Sequence, residues 1–293
     1  MIKNKMKLKD AWKPNLCDVT ICAADCLTPA LALIAIEKSM MQCDFARAIL
    51  FTDKPTPHKK SIELIPIKKL NSQNDYSRFI LKELHKHIET KFILIVQWDG
   101  YVLSGKNWHD RFYNYDLIGA KWHWHKDAYT VGNGGFTLRS LKLQKIMASN
   151  TFPFIEKVGE DAQICKIYRE KLTKQYKIKF ASEEVADEFS YERRPLHTNT
   201  FGFHGFFNFY RHAYDDDLKK IIKHLNSKIF ITKEFRELLI QYVVHMKLKS
   251  SLILYKRFIE HVSLKNRLKF FFHVTKRIFL YTFNKKYTEQ KYD

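Results

Sequence analysis

Eleven residues, Phe92-Ile93-Leu94-Ile95-Val96-Gln97-Trp98-Asp99-Gly100-Tyr101-Val102, constrain this chain more than any others. Five consecutive large apolar residues, mostly branched, predict a strand buried on both faces, which a sheet covered by helices on each side provides. Open α/β sheets meet ligands just beyond the carboxyl ends of their strands, so Asp99 is a candidate for contact with a ligand or metal. An Asp-Gly pair closing a strand as a plain turn accounts for the segment, taken alone, equally well.

The flanking sequence repeats strand and helix. Cys17–Ala24 reads as a first strand; Thr28-Pro29 supplies an N-cap and a proline at the first helical position, and Ala30–Met41 reads as a helix. Ala48–Thr52 is a second strand ending at Asp53, Ile62–Ile67 a third short apolar segment, and Ser77–Glu89 a helix with Phe79, Ile80, Leu84 and Ile88 on one face. This alternation predicts an α/β domain with a mainly parallel sheet flanked by helices. After Asp99 the pattern loosens. Tyr115–Ala120 reads as a short strand leading to Trp122, His123, Trp124 and His125, where no acid at ligand spacing supports zinc. In Val131-Gly132-Asn133-Gly134-Gly135-Phe136, the Asn-Gly pair fits a hairpin turn, and the three glycines equally allow backbone to approach a ligand closely. Ser140 caps a helix through Ala148, and a further helix runs from Glu160 to Lys171.

Beyond Asp215 three helical stripes follow: Leu218, Ile221, Ile222, Leu225; then Phe235, Leu238, Leu239, Tyr242, Val243, Met246; then Leu268, Phe271, Phe272, Thr275, Ile278, Phe279. Between Lys247 and Lys286 there are eleven Lys and Arg against one acid, Glu260, so the formal charge of +20 is weighted to this end. Basic, aromatic-rich amphipathic helices suit an anionic membrane surface; the alternative is that the stripes pack on the core or on a second copy of the chain. The expected organisation is a basic lead-in over 1–14, an α/β domain over 15–214 and a basic helical region over 215–293. The five cysteines form no CxxC pair and read as free thiols in a reducing compartment. With no apolar signal core and no apolar run long enough to span a bilayer, the expectation is a cytoplasmic protein, peripherally associated with the inner face of the cell membrane.

Four clusters could carry chemistry: Gln97-Trp98-Asp99-Gly100, Gly132–Phe136, Glu160-Asp161, and Phe201-Gly202-Phe203-His204. Each has a structural explanation too. Acids at a helix start stabilise the positive end of its dipole, and a lone histidine among aromatics is commonly a core residue. Taken in order, Gln97–Val102, Tyr115–Trp122, Val131–Ser140, Glu160-Asp161 and Phe201–His204 resemble the DUF5672 glycosyltransferase-like family, itself similar to GT-A sugar-nucleotide transferases. The resemblance covers roughly Cys17 to Phe207. Two positions depart from it: Lys121 stands where a proline is usual, and Gln97 replaces the first acid of the Asp-x-Asp pair found in most GT-A enzymes.

The resemblance implies a GT-A-like, Rossmann-like fold and a hexosyltransferase working from a nucleotide sugar, a UDP-sugar by preference. The acceptor implied is a hydroxyl of a glycan or lipid-linked glycan in surface polysaccharide or lipopolysaccharide biosynthesis. It places Ala23, Asp25, Tyr76, Gln97, Trp98, Asp99, Gly100, Asn133, Gly134 and Gly135 around the donor, and Trp122 and Phe136 toward the acceptor. Asp99 and His204 would hold a divalent cation, Mn²⁺ or Mg²⁺, against the diphosphate. Asp161, with Glu160 beside it, would take the proton of the attacking hydroxyl, which inverts the anomeric centre. Two other classes compete: a catalytically inactive membrane-associated scaffold, and a nucleic-acid-binding protein. Against the latter, no reading module is recognisable and the charge lies away from the expected cleft, so no nucleic-acid partner is expected; an oligomer is compatible with the apolar stripes.

Overall fold

The computed structural model describes residues 12–123, 125, 127–193, 199–213 and 215–283, with side chains through 277. Most of the expected basic lead-in, Trp124, and the side chains of Ile278 and Phe279 therefore lie outside the described residues.

The chain opens with β1 (Asn15–Ala24), α1 (Pro29–Met40), β2 (Asp44–Thr52) and β3 (Glu63–Pro66). β1 begins before its apolar run because Asn15 and Leu16 pair with Asp44 and Phe45 of β2. At the start of α1, Thr28 makes no side-chain cap; the Asp25 carboxylate instead accepts the backbone N–H groups of Leu27 and Thr28 at 2.7 and 2.6 Å. α2 (Gln73–Arg78) starts ahead of the expected helix, because Ser72 caps it by accepting from Asp75 N. It runs on through a π turn (Phe79–Glu83) and a 3₁₀ turn (Leu84–His87), which keeps Phe79, Ile80, Leu81 and Leu84 buried. Then come β4 (Phe92–Val96), β5 (Tyr101–Val102), β6 (Leu117–Gly119), β7 (Phe136–Ser140) and α3 (Leu141–Ala148), the last capped by the Ser140 hydroxyl.

β4 is the predicted buried strand, and it lies in the middle of a six-stranded sheet of order β3-β2-β1-β4-β7-β6. β3, β2, β1 and β4 are parallel; β7 is antiparallel to both β4 and β6. Alternate residues of each central strand enter different cores, as the pleat requires. Ile21, Leu50, Leu94 and Val96 pack with Leu31, Ala35 and Ile36 of α1 on one face. Cys22, Ile49, Ile93 and Ile95 pack with Phe79, Ile80 and Leu84 on the other. Helices on both faces of a mainly parallel sheet are the arrangement expected from the sequence.

After α3 come α4 (Glu160–Ala162), a π turn, α5 (Arg169–Tyr176), α6 (Glu183–Phe189), β8 (Ser190–Tyr191), β9 (Gly202–Phe203) and α7 (Phe209–His212). β5, β9 and β8 form a second, three-stranded sheet. Finally α8 (Asp215–His224), α9 (Lys233–Val244), α10 (Leu248–His261) and α11 (Leu264–Phe283) make up the C-terminal region. Of its three stripes, the first two pack inward, except for Met246 at the end of the second, which is 72% exposed. Leu218, Ile221, Phe235, Leu238 and Leu239 share one core with Leu94 and Val96 of β4. Lys38 of α1 also bonds Asp217 at 2.5 Å, and the Tyr242 hydroxyl lies 3.0 Å from the carbonyls of Phe209 and Ala213. In the third stripe, Leu268, Phe271 and Phe272 are 54%, 63% and 70% exposed.

Because the C-terminal helices and the sheet share that core, Phe235→Ala is expected to cost about 3–5 kcal/mol and to shift one urea transition of the whole chain. A separate early transition, with the sheet left at its wild-type midpoint, would contradict the shared core.

Candidate active site

The site is placed by strand register. In the β4–β7 pair Val96 faces Phe136, so the segment leaving β4 runs alongside the glycine-rich loop entering β7, and Gln97 N donates to Gly135 O at 2.8 Å. In the β5–β9 pair Tyr101 faces Phe203, which sets His204 against Asp99. Gly205, with φ +101°, turns the chain back so that its N–H donates to Asp99 O at 3.0 Å, and Phe206 N donates to Asp99 Oδ2 at 3.1 Å.

His204 sits between two acids. Its Nε2 is 3.4 Å from Asp99 Oδ1 and its Nδ1 3.3 Å from Glu192 Oε1, with all three side chains mostly buried. Neither approach is aligned as a hydrogen bond, so these are ion pairs, and Asp99 Oδ1 and both His204 nitrogens keep unused hydrogen-bonding capacity. Burial works against a charged imidazole, but Asp99 and then Glu192 outweigh it and push His204 up to about 10. Burial likewise opposes ionisation of Asp99, and the His204 charge with the Phe206 N–H holds its carboxyl below the ordinary value.

A second cluster centres on Arg139, a fully buried guanidinium in β7 whose Nη2 donates to Glu160 Oε1 at 2.8 Å. Beside it, Asp161 accepts from Ala162 N at 2.7 Å and from Gly134 N at 3.3 Å. Burial, and then the neighbouring Glu160 charge, push Asp161 up to about 7. A carboxylate poised near neutrality is suited to take a proton during a reaction.

The glycine loop joins the two clusters. It is neither a two-residue hairpin turn nor a backbone surface open to a ligand, because side chains of the site fill the missing Cβ positions. A Cβ on Gly134 would lie 2.1 Å from Glu160 Oε1, one on Gly135 2.0 Å from His204 Nε2, and one on Gly132 2.3 Å from the Trp122 ring. Asn133 is buried and holds the loop's shape, its Oδ1 accepting from Gly135 N at 3.0 Å. Trp122 and Phe136, expected toward an acceptor, serve as core instead. Trp122 is 6% exposed under Gly132, and Phe136 is fully buried with its ring against Gly202, so neither presents a surface to a substrate. Gly100 is buried as well, its Cα side closed by Phe203 O.

Ala23, Asp25, Tyr76, Gln97 and Trp98, remote in sequence, line one cavity of about 130 Å³ at the carboxyl ends of β1 and β4. Gln97 Nε2 donates to the Tyr76 hydroxyl at 3.2 Å, and burial raises that phenol above its ordinary range. Asp25 lines the cavity while its carboxylate holds the Leu27 and Thr28 N–H groups just ahead of α1; burial raises its carboxyl against those bonds. The cavity is small beside typical ligand pockets of about 300–1,000 Å³, so it suits one ring rather than a whole sugar nucleotide.

Sequence reasoning assigned no role to Glu192 or Arg139. Arg139 carries a signal, a charge inside an otherwise apolar strand, which demands a buried partner. Glu192 lies in a polar run with no such pattern. Among the described residues no group of three or more His, Cys, Asp or Glu converges as a metal site.

Residues 59–204, just under half of the chain, match the model of a family described as "Protein of unknown function (DUF5672)". No curated protein matches it. Among solved structures the chain is similar to the apo-form glycosyltransferase GlyE of Streptococcus pneumoniae TIGR4, with 11% identity and a TM-score of 0.38 over 63% of this chain and 53% of that one. The match thus spans about half the length of GlyE. The chain is also similar to a glycosyltransferase involved in the glycosylation of the major capsid of PBCV-1, with 14% identity and a TM-score of 0.41 over 64% of this chain and 91% of that one.

If His204 holds the place described, Gly135→Ala forces its ring or the loop to move and is expected to cost about 1–3 kcal/mol in urea unfolding. An unchanged midpoint would contradict that packing.

Proposed function

We propose that this protein is a GT-A-like glycosyltransferase that moves a hexose from a nucleotide sugar, a UDP-sugar by preference, to a hydroxyl of a glycan or glycolipid. The observation that carries the reading is Asp161: a carboxyl raised to about 7, hydrogen-bonded to the glycine loop, with the Asp99–His204 pair on the other side of that loop. Direct displacement asks for a base at the attacking oxygen and charge compensation at the leaving diphosphate. The acceptor oxygen attacks the anomeric carbon while the bond to the diphosphate breaks; the electron pair leaves with the diphosphate and the hydroxyl proton passes to Asp161. Inversion follows from a single displacement.

The developing charge on the diphosphate needs a positive partner. The His204 imidazolium is already offset by Asp99 and Glu192, so that partner has to come with the donor. The unused capacity of Asp99 Oδ1 and His204 Nε2 fits a divalent cation in place of the proton, with diphosphate oxygens completing its ligands. When bound, Mn²⁺ or Mg²⁺ would offset leaving-group charge. The cavity lined by Tyr76, Gln97 and Trp98 is the proposed seat of the nucleobase.

The lipid-linked acceptor and the membrane belong to the same proposal. Among the described residues no helix is long and apolar enough to cross a membrane. Leu252 on α10, and Leu264, Leu268, Phe271 and Phe272 on α11, are more than half exposed among lysines and arginines, which supports peripheral contact with an anionic surface. Surface polysaccharide or lipopolysaccharide synthesis at the inner face of the cell membrane is the proposed setting.

Asp161 must be ionised to act, so kcat/KM is expected to rise as pH increases through about 7. Asp161→Asn is expected to lower kcat by about 10²–10⁴-fold while leaving donor binding near wild type. The folded carboxyl holds its proton more tightly than the ordinary value of 3.8, so its ionisation removes stability as pH rises from there through about 7. The asparagine variant should therefore be no less stable than wild type at pH above that range. Loss of donor affinity in place of turnover would assign Asp161 a structural role.

A further inference from the structure

The C-terminal helices enclose a groove of about 850 Å³ that the transferase reading does not use. Its wall is apolar: Ile240 of α9, Phe258 of α10, Val262 between α10 and α11, and Phe270 of α11, each less than a tenth exposed. Its rim is cationic. Lys233 and Arg236 lie one turn apart at the start of α9, and Lys269, His273 and Arg277 recur every fourth residue along α11, so both series face the same trough. The one acid in the lining, Glu237, is already engaged by Arg193, whose Nη1 donates to both its oxygens at 2.9 and 3.0 Å. The start of α9 adds the positive end of its dipole. Burial, and then the charges of Arg277, Lys276 and Arg236, hold His273 below its ordinary value, as a strongly positive trough requires.

We propose that this groove binds one anionic phospholipid of the bilayer, its phosphate on the Lys233–Arg236–Lys269 rim and a hydrocarbon chain along the Ile240–Phe258–Phe270 wall. Charge complementarity selects an anion, and the dry wall selects one that carries a chain. The exposed residues of α11 argue for the same medium: Phe271 and Phe272 adjoin the groove residue Phe270 in sequence and are exposed on the same helix. This inference rests on the peripheral-membrane reading and adds a defined lipid site to it. The site lies close to the cleft in covalent terms, because Arg193, the partner of Glu237, is the neighbour of Glu192, which faces His204.

The test uses the full chain and dihexanoylphosphatidylglycerol below its micelle concentration, followed by thermal shift and calorimetry. A saturable rise in Tm is expected, with little or none from glycerol 3-phosphate, which lacks the chain, or from dihexanoylphosphatidylcholine, which is not anionic. Arg236→Glu combined with Lys269→Glu changes two exposed side chains and should weaken binding by about tenfold or more without lowering the lipid-free Tm. Asn266→Trp, which fills the groove from an exposed position without changing charge, should weaken it as well. The proposal is overturned if the short-chain lipid gives no saturable shift, if glycerol 3-phosphate matches it, or if either variant binds as wild type does. Sedimentation with phosphatidylglycerol vesicles separates the two readings. Vesicle binding without short-chain lipid binding removes the groove and leaves the membrane contact standing; loss of both removes both.

Discussion

The site depends on the absence of two side chains. Gly134 and Gly135 sit between a buried Arg139–Glu160 pair and a buried histidine, and either Cβ would occupy the space of a catalytic candidate. With hydrogen atoms there instead, Glu160 and His204 close onto the loop from their own sides, and Asp161 reaches the Gly134 N–H. Everything else holds that contact in place. The β4–β7 register brings Gln97 to Gly135, the β5–β9 register brings His204 to Asp99, and the aromatic core of Phe136, Phe189 and Phe201 supports the loop from below.

The two charge clusters are tuned in opposite directions by the same buried setting. Burial opposes the positive charge of His204, but its two carboxylate neighbours outweigh that and make the charge persistent. Asp161 gains a carboxylate neighbour, so burial makes its negative charge harder to hold. A histidine between two carboxylates, able to give up its proton's place to a divalent cation, on one side of a loop and a reluctant anion on the other suit departure of an anionic group at one end and capture of a proton at the other.

Much of this was legible in the sequence. The run from Phe92 to Val96 predicted a doubly buried strand, and Asp99 does lie at its carboxyl end beside His204. Ser140 caps α3 as its position suggested. The meaning of the glycines was less accessible: periodicity shows that space is required, and only the fold shows that Glu160, His204 and Trp122 take it. Trp122 and Phe136 look like ligand contacts in a linear motif because aromatic residues serve packing and recognition alike. α2 starts earlier than its apolar stripe suggests, because the polar Ser72 cap precedes the first apolar residue of that stripe. The basic C-terminal stripes divide between two fates, inward packing for α8 and α9 and exposure for much of α11, and amphipathicity alone does not separate them.

A nucleoside diphosphate seated between the Tyr76–Gln97–Trp98 cavity and the Asp99–His204 pair is open to direct binding measurement before any acceptor is known. Calorimetric titration of the full chain with UDP, GDP and dTDP, each with and without Mn²⁺, is expected to show saturable binding of one of them. With Mn²⁺ present, that binding should weaken by about tenfold or more in Asp99→Ala or His204→Ala, because each removes a side chain that would hold the ion against the diphosphate. No binding of any nucleoside diphosphate under either condition, or binding indifferent to both substitutions, would contradict the account.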